Sequence, residues 1–297
     1  MRFLEESGVN IVEVITQTIN NLFSDLFSSI DNSLYSVLDD LLFIGPTIFN
    51  DSNLQKLLGS FDSNGLILIC NSLLLGFTLY YVCFLMLSKF TFSETQKPTQ
   101  FLFKLFFCAI AINSSSFIVE FFITIFSNTT LAIREVGELV FNENICLSTF
   151  TEKFNSTIFI GISGLNIFSL DGLMKSFVSI GMLNLAISYS IRYILIQVFI
   201  LFSPFAFISL VTPNTSWIFK SWFKLFISLL SLQILVSLIL LISFSLEYSG
   251  VDSFSRFVYM GSIYTLIKAN TFVKDFMGGL STDQNLSMLN LKSYFYR

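Results

Sequence analysis

Long uninterrupted apolar runs constrain this chain more than any other feature. Two of them, residues 65–88 and 225–245, approach or exceed the roughly 20 apolar residues that a helix needs to cross a hydrocarbon core. Hydrophobic residues make up 54% of the 297 residues and charged residues 12%, whereas soluble domains carry roughly 25% charge. A β-barrel would show short alternating stretches instead. The sequence therefore predicts an all-α polytopic membrane protein with about five transmembrane helices.

The complete absence of histidine limits the chemistry that this chain can perform. Histidine is the commonest general base and metal ligand at neutral pH. The sequence also has no P-loop, dinucleotide fingerprint, paired-cysteine motif or HExxH zinc motif. The net charge of −4 is mild and no basic stripe suggests direct nucleic-acid binding. We therefore expect a protein that is not an enzyme and has no metal or cofactor.

The first 64 residues are predicted to form an amphipathic extracytoplasmic region. Apolar residues recur there in steps of three or four, which is the helical period. The partner-facing stripe contains Ile11, Ile15, Ile19, Leu22, Leu26 and Ile30. Such a helix packs on copies of itself, on a partner protein or on the lipid surface. Its polar face is acidic and lacks Lys and Arg, which favours a protein partner over an anionic lipid surface.

Residues 65–126 are predicted to contain the first two transmembrane helices, at 65–88 and 101–126. The connecting loop, residues 89–104, is short and basic, so the positive-inside tendency predicts that it is cytoplasmic and that the N-terminus lies outside. Glu120 lies in the second helix. It either reaches the headgroup region or faces a wet cavity, because a carboxylate inside a span needs a partner or water. Residues 127–172 would then form an extracytoplasmic loop.

The nearly forty mainly apolar residues from 173 to 211 contain Arg192 and Pro204. One straight helix of this length would measure about 58 Å, too long for a single crossing. The chain could turn near Arg192, or break after Phe202 and continue as a short re-entrant piece. The break is favoured because it keeps Lys220 and Lys224 cytoplasmic. Arg192 would lie in a subunit interface or translocation path, or alternatively at a turn or snorkelling to the surface.

The remainder of the region 173–273 contains a span at 217–246 and a weaker fifth span, or surface helix, at 257–273. Four residues at the start of the first of these are predicted interfacial anchors: Trp217, Trp222, Lys220 and Lys224. Gln233 in the same span either bonds to a neighbouring helix or faces a pore. Residues 274–297 are predicted to form a cytoplasmic tail.

Several short motifs resemble one family of membrane proteins. They read Ile-Arg-Tyr at 191–193, Ser-Pro-Phe-Ala-Phe at 203–207, Trp-Ile-Phe-Lys-Ser-Trp at 217–222, and Gln233. This pattern resembles the TrbL-like polytopic inner-membrane subunit of type IV secretion and conjugation machines. The resemblance implies a channel-forming homo-oligomer that passes DNA or protein across the bacterial inner membrane, with partner ATPases and periplasmic components.

The first functional hypothesis is thus a channel and scaffold subunit of a secretion machine in the lipid bilayer. Its candidate translocation-path or subunit-interface residues are Arg192, Pro204, Gln233 and Glu120. A stand-alone transporter of a small solute is the first alternative, although such transporters often contain internal repeats and no second copy of the 192–211 pattern is present. A phage or plasmid membrane-lesion or exclusion protein is the second.

Overall fold

The computed structural model describes residues 16–22, 25, 37–59, 65–91, 98–158, 170–245 and 253–277. Within these ranges the regular structure is helical, without strands. Four stretches, residues 66–88, 115–141, 172–208 and 216–245, are long and apolar enough to cross a membrane, and a shorter apolar helix accompanies them. The predicted class, an all-α polytopic membrane protein, is confirmed.

The helices are labelled in chain order. They are α1 (Ser52–Leu58), α2 (Leu66–Thr91), α3 (Pro98–Asn113), α4 (Ser115–Phe141), α5 (Leu147–Ile158), α6 (Leu170–Ile208), α7 (Ser216–Ser245) and α8 (Ser253–Met277). Residues 16–22 and 37–42 are also helical, and Pro46–Asn50 forms a 3-10 helix.

Helix α7 lies at the centre of the bundle. Half of its most apolar 18-residue stretch is buried, whereas only 17% of the corresponding stretch is buried in α2 and in α4. It runs antiparallel to α6, because Trp222 near its start contacts Phe199 and Leu229 further along contacts Arg192. It runs parallel to α4, its most extensively packed neighbour. Helix α6 packs against α1, α2 and α3, so α6 and α7 together position most other elements.

Helices α2 and α3 form an antiparallel hairpin. The rings of Tyr81 and Phe101 stack with their centroids 3.7 Å apart, and the Asn71 amide donates to the Asn113 side chain at 3.1 Å. The predicted second span, residues 101–126, is not one regular helix, because Ser114 separates α3 from α4 with φ −98° and ψ 11°. The Asn113 amide also donates to the carbonyl of Ala109 at 2.8 Å. This bond between a side chain and the backbone one turn earlier accounts for the interruption of the helix at Ser114.

Helix α4 extends well into the segment that was predicted to be an outer loop. It ends only at Asn142, which has φ 54° and whose N–H donates to the carbonyl of Glu138 at 2.9 Å. This is the left-handed helix stop that asparagine tolerates. Residues 127–141 are therefore helical, and α5 occupies part of the remaining segment.

Helix α6 runs without interruption through Pro204, so the break expected after Phe202 does not occur there. Proline has no N–H, which would leave the carbonyl of Ile200 without its usual helical donor. The hydroxyl of Ser203 donates to that carbonyl at 2.7 Å and takes the place of the missing donor. The helix instead ends at Ile208. The predicted re-entrant piece, residues 204–211, is therefore the last part of α6 and the beginning of the turn over 209–215.

Residues 37–59, hereafter the N-terminal segment, pack among the membrane helices. Leu38 and Leu42 belong to the same buried cluster as α6, α7 and α8 residues, and Ile48, Leu54 and Leu58 belong to the cluster formed with α2, α3 and α4. The predicted separation of residues 1–64 from the membrane helices therefore does not hold for this part of the chain.

The starts of α2, α4 and α7 lie at one end of the bundle. Asn71 bonds to Asn113, the last residue of α3, and the ring of Phe122 lies 5.4 Å from that of Phe223. The predicted orientation placed the start of α2 outside and the start of α7 inside. Those two placements are incompatible with this packing.

Helix α8 lies along α7 in the antiparallel direction rather than on a separate surface. Phe150 contacts both Phe244, at the end of α7, and Tyr259, near the start of α8. Its inward face includes Asn270, which is 4% exposed. Helix α8 is not among the four candidate spans, and its sequence contains four charged residues, Arg256, Lys268, Lys274 and Asp275.

Candidate functional site: a buried arginine beside the N-terminal segment

Arg192 lies in the interior of the bundle and is 0% exposed. Its Nε donates to the carbonyl of Leu229 on α7 at 2.9 Å, and its Nη1 donates to the carbonyl of Leu42 at 2.9 Å. Its Nη2 has no hydrogen-bond partner among the described residues. An arginine stays charged even when buried and therefore needs a polar partner. The dipoles of these two carbonyl groups stabilise the guanidinium. The residue joins α6, α7 and the N-terminal segment.

Gln233 lies one helical turn beyond Leu229 on α7 and is also 0% exposed. Neither its Oε1 nor its Nε2 has a hydrogen-bond partner in the described part of the chain. Residues four apart are neighbours on a helix, so Gln233 lies one turn from Leu229, whose carbonyl binds Arg192. Both predicted residues thus lie inside the chain, and neither reaches its outer surface.

The N-terminal segment reaches this depth without continuous helix. Residues 43–45 are non-helical and connect the helical residues 37–42 to the 3-10 helix at Pro46–Asn50. Leu229, at the same depth, lies 13 residues into α7, or about 20 Å along it. Irregular backbone at membrane depth survives only where protein covers it or it lines a water-filled cavity.

Asp39 attaches the helical part of the N-terminal segment, residues 37–42, to α5. Its carboxylate accepts hydrogen bonds from Leu147 N at 2.8 Å, Ser148 N at 3.2 Å and Ser148 Oγ at 2.6 Å. These amides begin α5, where backbone N–H groups have no partner within the helix and a carboxylate is stabilising.

Arg134 forms a third attachment, from α4. Its guanidinium carbon lies 4.4 Å from the centroid of the Phe43 ring, in the range of a cation–π contact. Its Nε donates to the carbonyl of Ile145 at 2.6 Å. Asp39, Phe43 and Leu42 therefore each connect the N-terminal segment to a different helix.

An open cavity of about 350 Å³ lies beside the irregular backbone. Its lining includes Asp40, Phe43, Gly45, Thr47 and Tyr193. Tyr193 directly follows Arg192 in α6, although Arg192 itself does not line the cavity. A carboxylate, a hydroxyl and irregular backbone on one wall can hold water or a small polar solute.

The other two candidate path residues lie elsewhere. Pro204 is buried on α6, 12 residues beyond Arg192 and thus about 18 Å along the helix. Glu120 is exposed and lines a second cavity, of about 580 Å³, together with Gln55, Lys56 and Ser116. Arg192, Pro204 and Gln233 are therefore buried, whereas Glu120 is exposed in a different cavity from the one beside Tyr193.

Of the four predicted interfacial anchors, Trp222 is a core residue. It is 4% exposed, its Nε1 donates to the carbonyl of Phe199 at 3.0 Å, and Trp217 is 64% exposed. Five residues advance a helix by about 500°, so the two indole rings lie about 140° apart. Lys220 and Lys224, at spacings of three and seven, share the exposed side with Trp217. The five-residue spacing alone could have predicted that the two tryptophans face different sides of α7.

The predicted oligomer helix lies largely outside the described residues. Ile11, Ile15, Leu26 and Ile30 fall there, while Ile19 and Leu22 lie in the helical stretch 16–22, with Leu22 64% exposed. Sequence reasoning did not identify Asp39, Arg134 or Ser203 as structural contacts. The partner of Asp39 is 108 residues away, and no local pattern indicates such a contact.

Comparisons with family models, curated proteins and solved structures give no match to this chain. What the fold establishes is a polytopic helical membrane protein with a charged arginine retained in its interior.

Proposed function

We propose that this chain is a non-enzymatic channel and scaffold subunit of a bacterial type IV secretion machine that passes DNA or protein across the inner membrane. One observation supports it best. The Arg192 guanidinium is held in the interior by the carbonyl of Leu42, directly before the irregular backbone of the N-terminal segment. A buried charge at membrane depth is costly for stability, so its retention favours a role in function.

The N-terminal segment would act as a closure within the bundle. Its withdrawal would break the bond between Leu42 and Arg192 and expose Arg192 and Gln233 along one route. A guanidinium on that route would attract phosphate or carboxylate groups of a passing polymer. Partner ATPases would supply the energy, and periplasmic components would continue the path.

Self-association is supported by the outer helices. Only 17% of the apolar windows of α2 and α4 is buried, and their outward side chains include Leu75, Phe117 and Leu139, at 66%, 70% and 81% exposure. Lipid or neighbouring copies would cover these faces. Close contact between copies would suit a scaffold subunit in a homo-oligomer.

The orientation follows from Lys220 and Lys224, which we place on the cytoplasmic side. Asp39 would then lie toward the outside, because its partner helix α5 contacts the far end of α7 through Phe150 and Phe244. Helix α8, antiparallel to α7, would lead residues 278–297 toward the cytoplasm.

A transfer assay in living cells tests this function. Arg192→Leu should reduce substrate transfer at least about tenfold, a loss equivalent to roughly 1.4 kcal/mol, while the amount of protein in the membrane stays unchanged. Lys104→Leu, at an exposed position on α3, removes the same charge and should transfer normally. Normal transfer by the Arg192 variant would remove the arginine from the path.

A stand-alone small-solute transporter is the second candidate, and the cavity lined by Asp40 and Tyr193 favours it. Irregular backbone beside a polar cavity is typical of transporter binding sites. Purified chain in vesicles distinguishes the two functions. Solute uptake by the chain alone, abolished by Asp40→Asn, would favour the transporter, whereas dependence on other machine components would favour the secretion subunit.

A further inference from the structure

An apolar groove of about 500 Å³ runs between α7 and α8, separate from the arginine site. Leu235 and Leu238 line one wall, and Phe272 and Phe276 line the other. Ser231 also lines it, but its hydroxyl donates to the carbonyl of Ile227 at 2.8 Å. Among the residues that line the groove, no side chain therefore has a hydrogen-bond donor free for a polar solute.

The walls of the groove are open. Leu238 is 41% exposed, Phe272 54% and Phe276 92%. A volume of this size suits an organic ligand, and an apolar surface of this kind in a membrane span accommodates a hydrocarbon chain.

One end of the groove is basic. Lys224 precedes Ser231 by seven residues, which places it on the same face of α7, two helical turns or about 10 Å beyond the groove. Lys220 lies one turn further, and Lys274 lies on α8 beside the groove residues Val273 and Phe276. All three lysines are exposed, and Asp275 is an exposed acidic neighbour.

We propose that this groove is a binding site for an anionic glycerophospholipid. One acyl chain would lie between α7 and α8, and the phosphate would contact Lys224 and Lys220. The charge complementarity supports this occupant, because basic pockets between membrane helices recognise anionic headgroups, and a lysine stem packs on apolar surface while its ammonium reaches the headgroup. The inference is independent of the secretion role.

The full chain is purified in detergent, mixed with equal amounts of dioleoylphosphatidylglycerol and dioleoylphosphatidylcholine, and examined by native mass spectrometry. The anionic lipid should be retained preferentially. Lys224→Gln should lower its retention about fivefold, as expected for the loss of one lysine near an anionic headgroup, without affecting the zwitterionic lipid. Leu235→Trp, which fills the groove, should lower retention of both.

Lys104→Gln provides the matched control, because Lys104 is exposed on α3, away from the groove. Equal retention of the two lipids by the unmodified chain would overturn the proposal, as would an equal loss in the Lys104 and Lys224 variants. Crosslinking of Leu235→Cys to residues 278–297 or to a second copy, with phosphatidylglycerol in excess, would show that protein occupies the groove. That result would also overturn the proposal.

Discussion

Arg192 Nη1 donates a hydrogen bond of 2.9 Å to the carbonyl oxygen of Leu42, a residue 150 positions earlier in the chain. A second bond from the same guanidinium reaches Leu229 on α7. Two backbone dipoles, rather than an acidic side chain, therefore stabilise the buried charge among the described residues. The guanidinium also holds the end of the helical stretch 37–42 against two membrane helices.

Replacing Arg192 should release the N-terminal segment before it unfolds the bundle. Arg192→Leu removes the donor to Leu42 but also removes a buried charge, and these two effects on stability oppose each other. We expect hydrogen exchange at residues 37–59 to accelerate at least about tenfold, corresponding to the loss of one charged hydrogen bond, while exchange in α7 stays nearly unchanged. Arg192→Lys should give a smaller acceleration. Uniform acceleration across all helices would contradict this selective attachment.

Asp39 should stabilise the start of α5. Asp39→Ala removes the acceptor for Leu147 N and Ser148 N, and loss of such a cap costs about 1–2 kcal/mol in the free energy of unfolding. Thermal unfolding in detergent measures the change. Asp40→Ala is the matched control, because Asp40 is exposed, and it should have little effect. Equal destabilisation by both variants would argue against the cap.

Gly137 should mark the closest approach between α4 and α7. A Cβ at this position would lie 2.6 Å from Ile145 Cγ1 and 2.9 Å from Leu241 Cδ1. Gly137→Val should therefore destabilise the protein by about 1–3 kcal/mol.

Gly261 provides the comparison, because nothing lies within 4 Å of a Cβ there. Gly261→Ala in α8 should stabilise the protein by about 0.5–1 kcal/mol through helix propensity. Chemical denaturation of both variants measures the free energy of unfolding, which should fall for the Gly137 variant and rise for the Gly261 variant. A stabilising Gly137 variant would show that the two helices are more loosely packed than described.

A buried glutamine, Gln233, and an exposed one, Gln55, should respond in opposite ways to replacement by leucine. Gln233→Leu removes two unpaired polar atoms and should raise the free energy of unfolding by about 1 kcal/mol. Gln55→Leu removes an Nε2 donor that bonds to the carbonyl of Phe49 at 2.6 Å and should lower it by about the same amount. Comparable unfolding curves for the two variants would indicate that Gln233 has an unidentified partner.

Cysteine labelling should place the loop before α3 and the start of α7 on opposite sides of the membrane. The start of α2 lies at the same end of the bundle as the start of α7, so an α2 that crosses the bilayer carries its end to the other side. With the exposed Cys83 replaced, Ser221→Cys should react from the cytoplasm and Lys97→Cys from outside. Reaction of both from the same side would show that α2 does not cross.

The membrane helices could be predicted because their signal is local. Long apolar runs determine where α2, α6 and α7 form, and the polar interruption at Asn113 was visible in the sequence. The continuity of α6 was harder to predict, since it depends on one hydroxyl. Ser203 compensates Pro204 by bonding to Ile200, and serine before proline does not by itself guarantee that contact.

The arginine site could be predicted only in part. A charge in an apolar run identified Arg192, but its partners are carbonyl groups, which every residue has and which carry no sequence signal. The N-terminal region was predicted to lie outside because the loop 89–104 is basic, and its acidic face suggested a protein partner. Asp39 is instead engaged by α5, 108 residues away, and only the tertiary structure reveals this contact.

The parallel packing of α4 on α7 also affects how the protein is made. Helix α4 leaves the ribosome well before its main neighbour, and at about 5–20 residues per second the chain from Phe141 to Ser216 needs on the order of several seconds to be synthesised. During that interval the inner face of α4, with Glu120 at its edge, has no α7 to cover it. Insertion machinery or lipid must shelter the waiting helix, so slower translation through α5 and α6 would prolong the stage at which misassembly and degradation compete with folding.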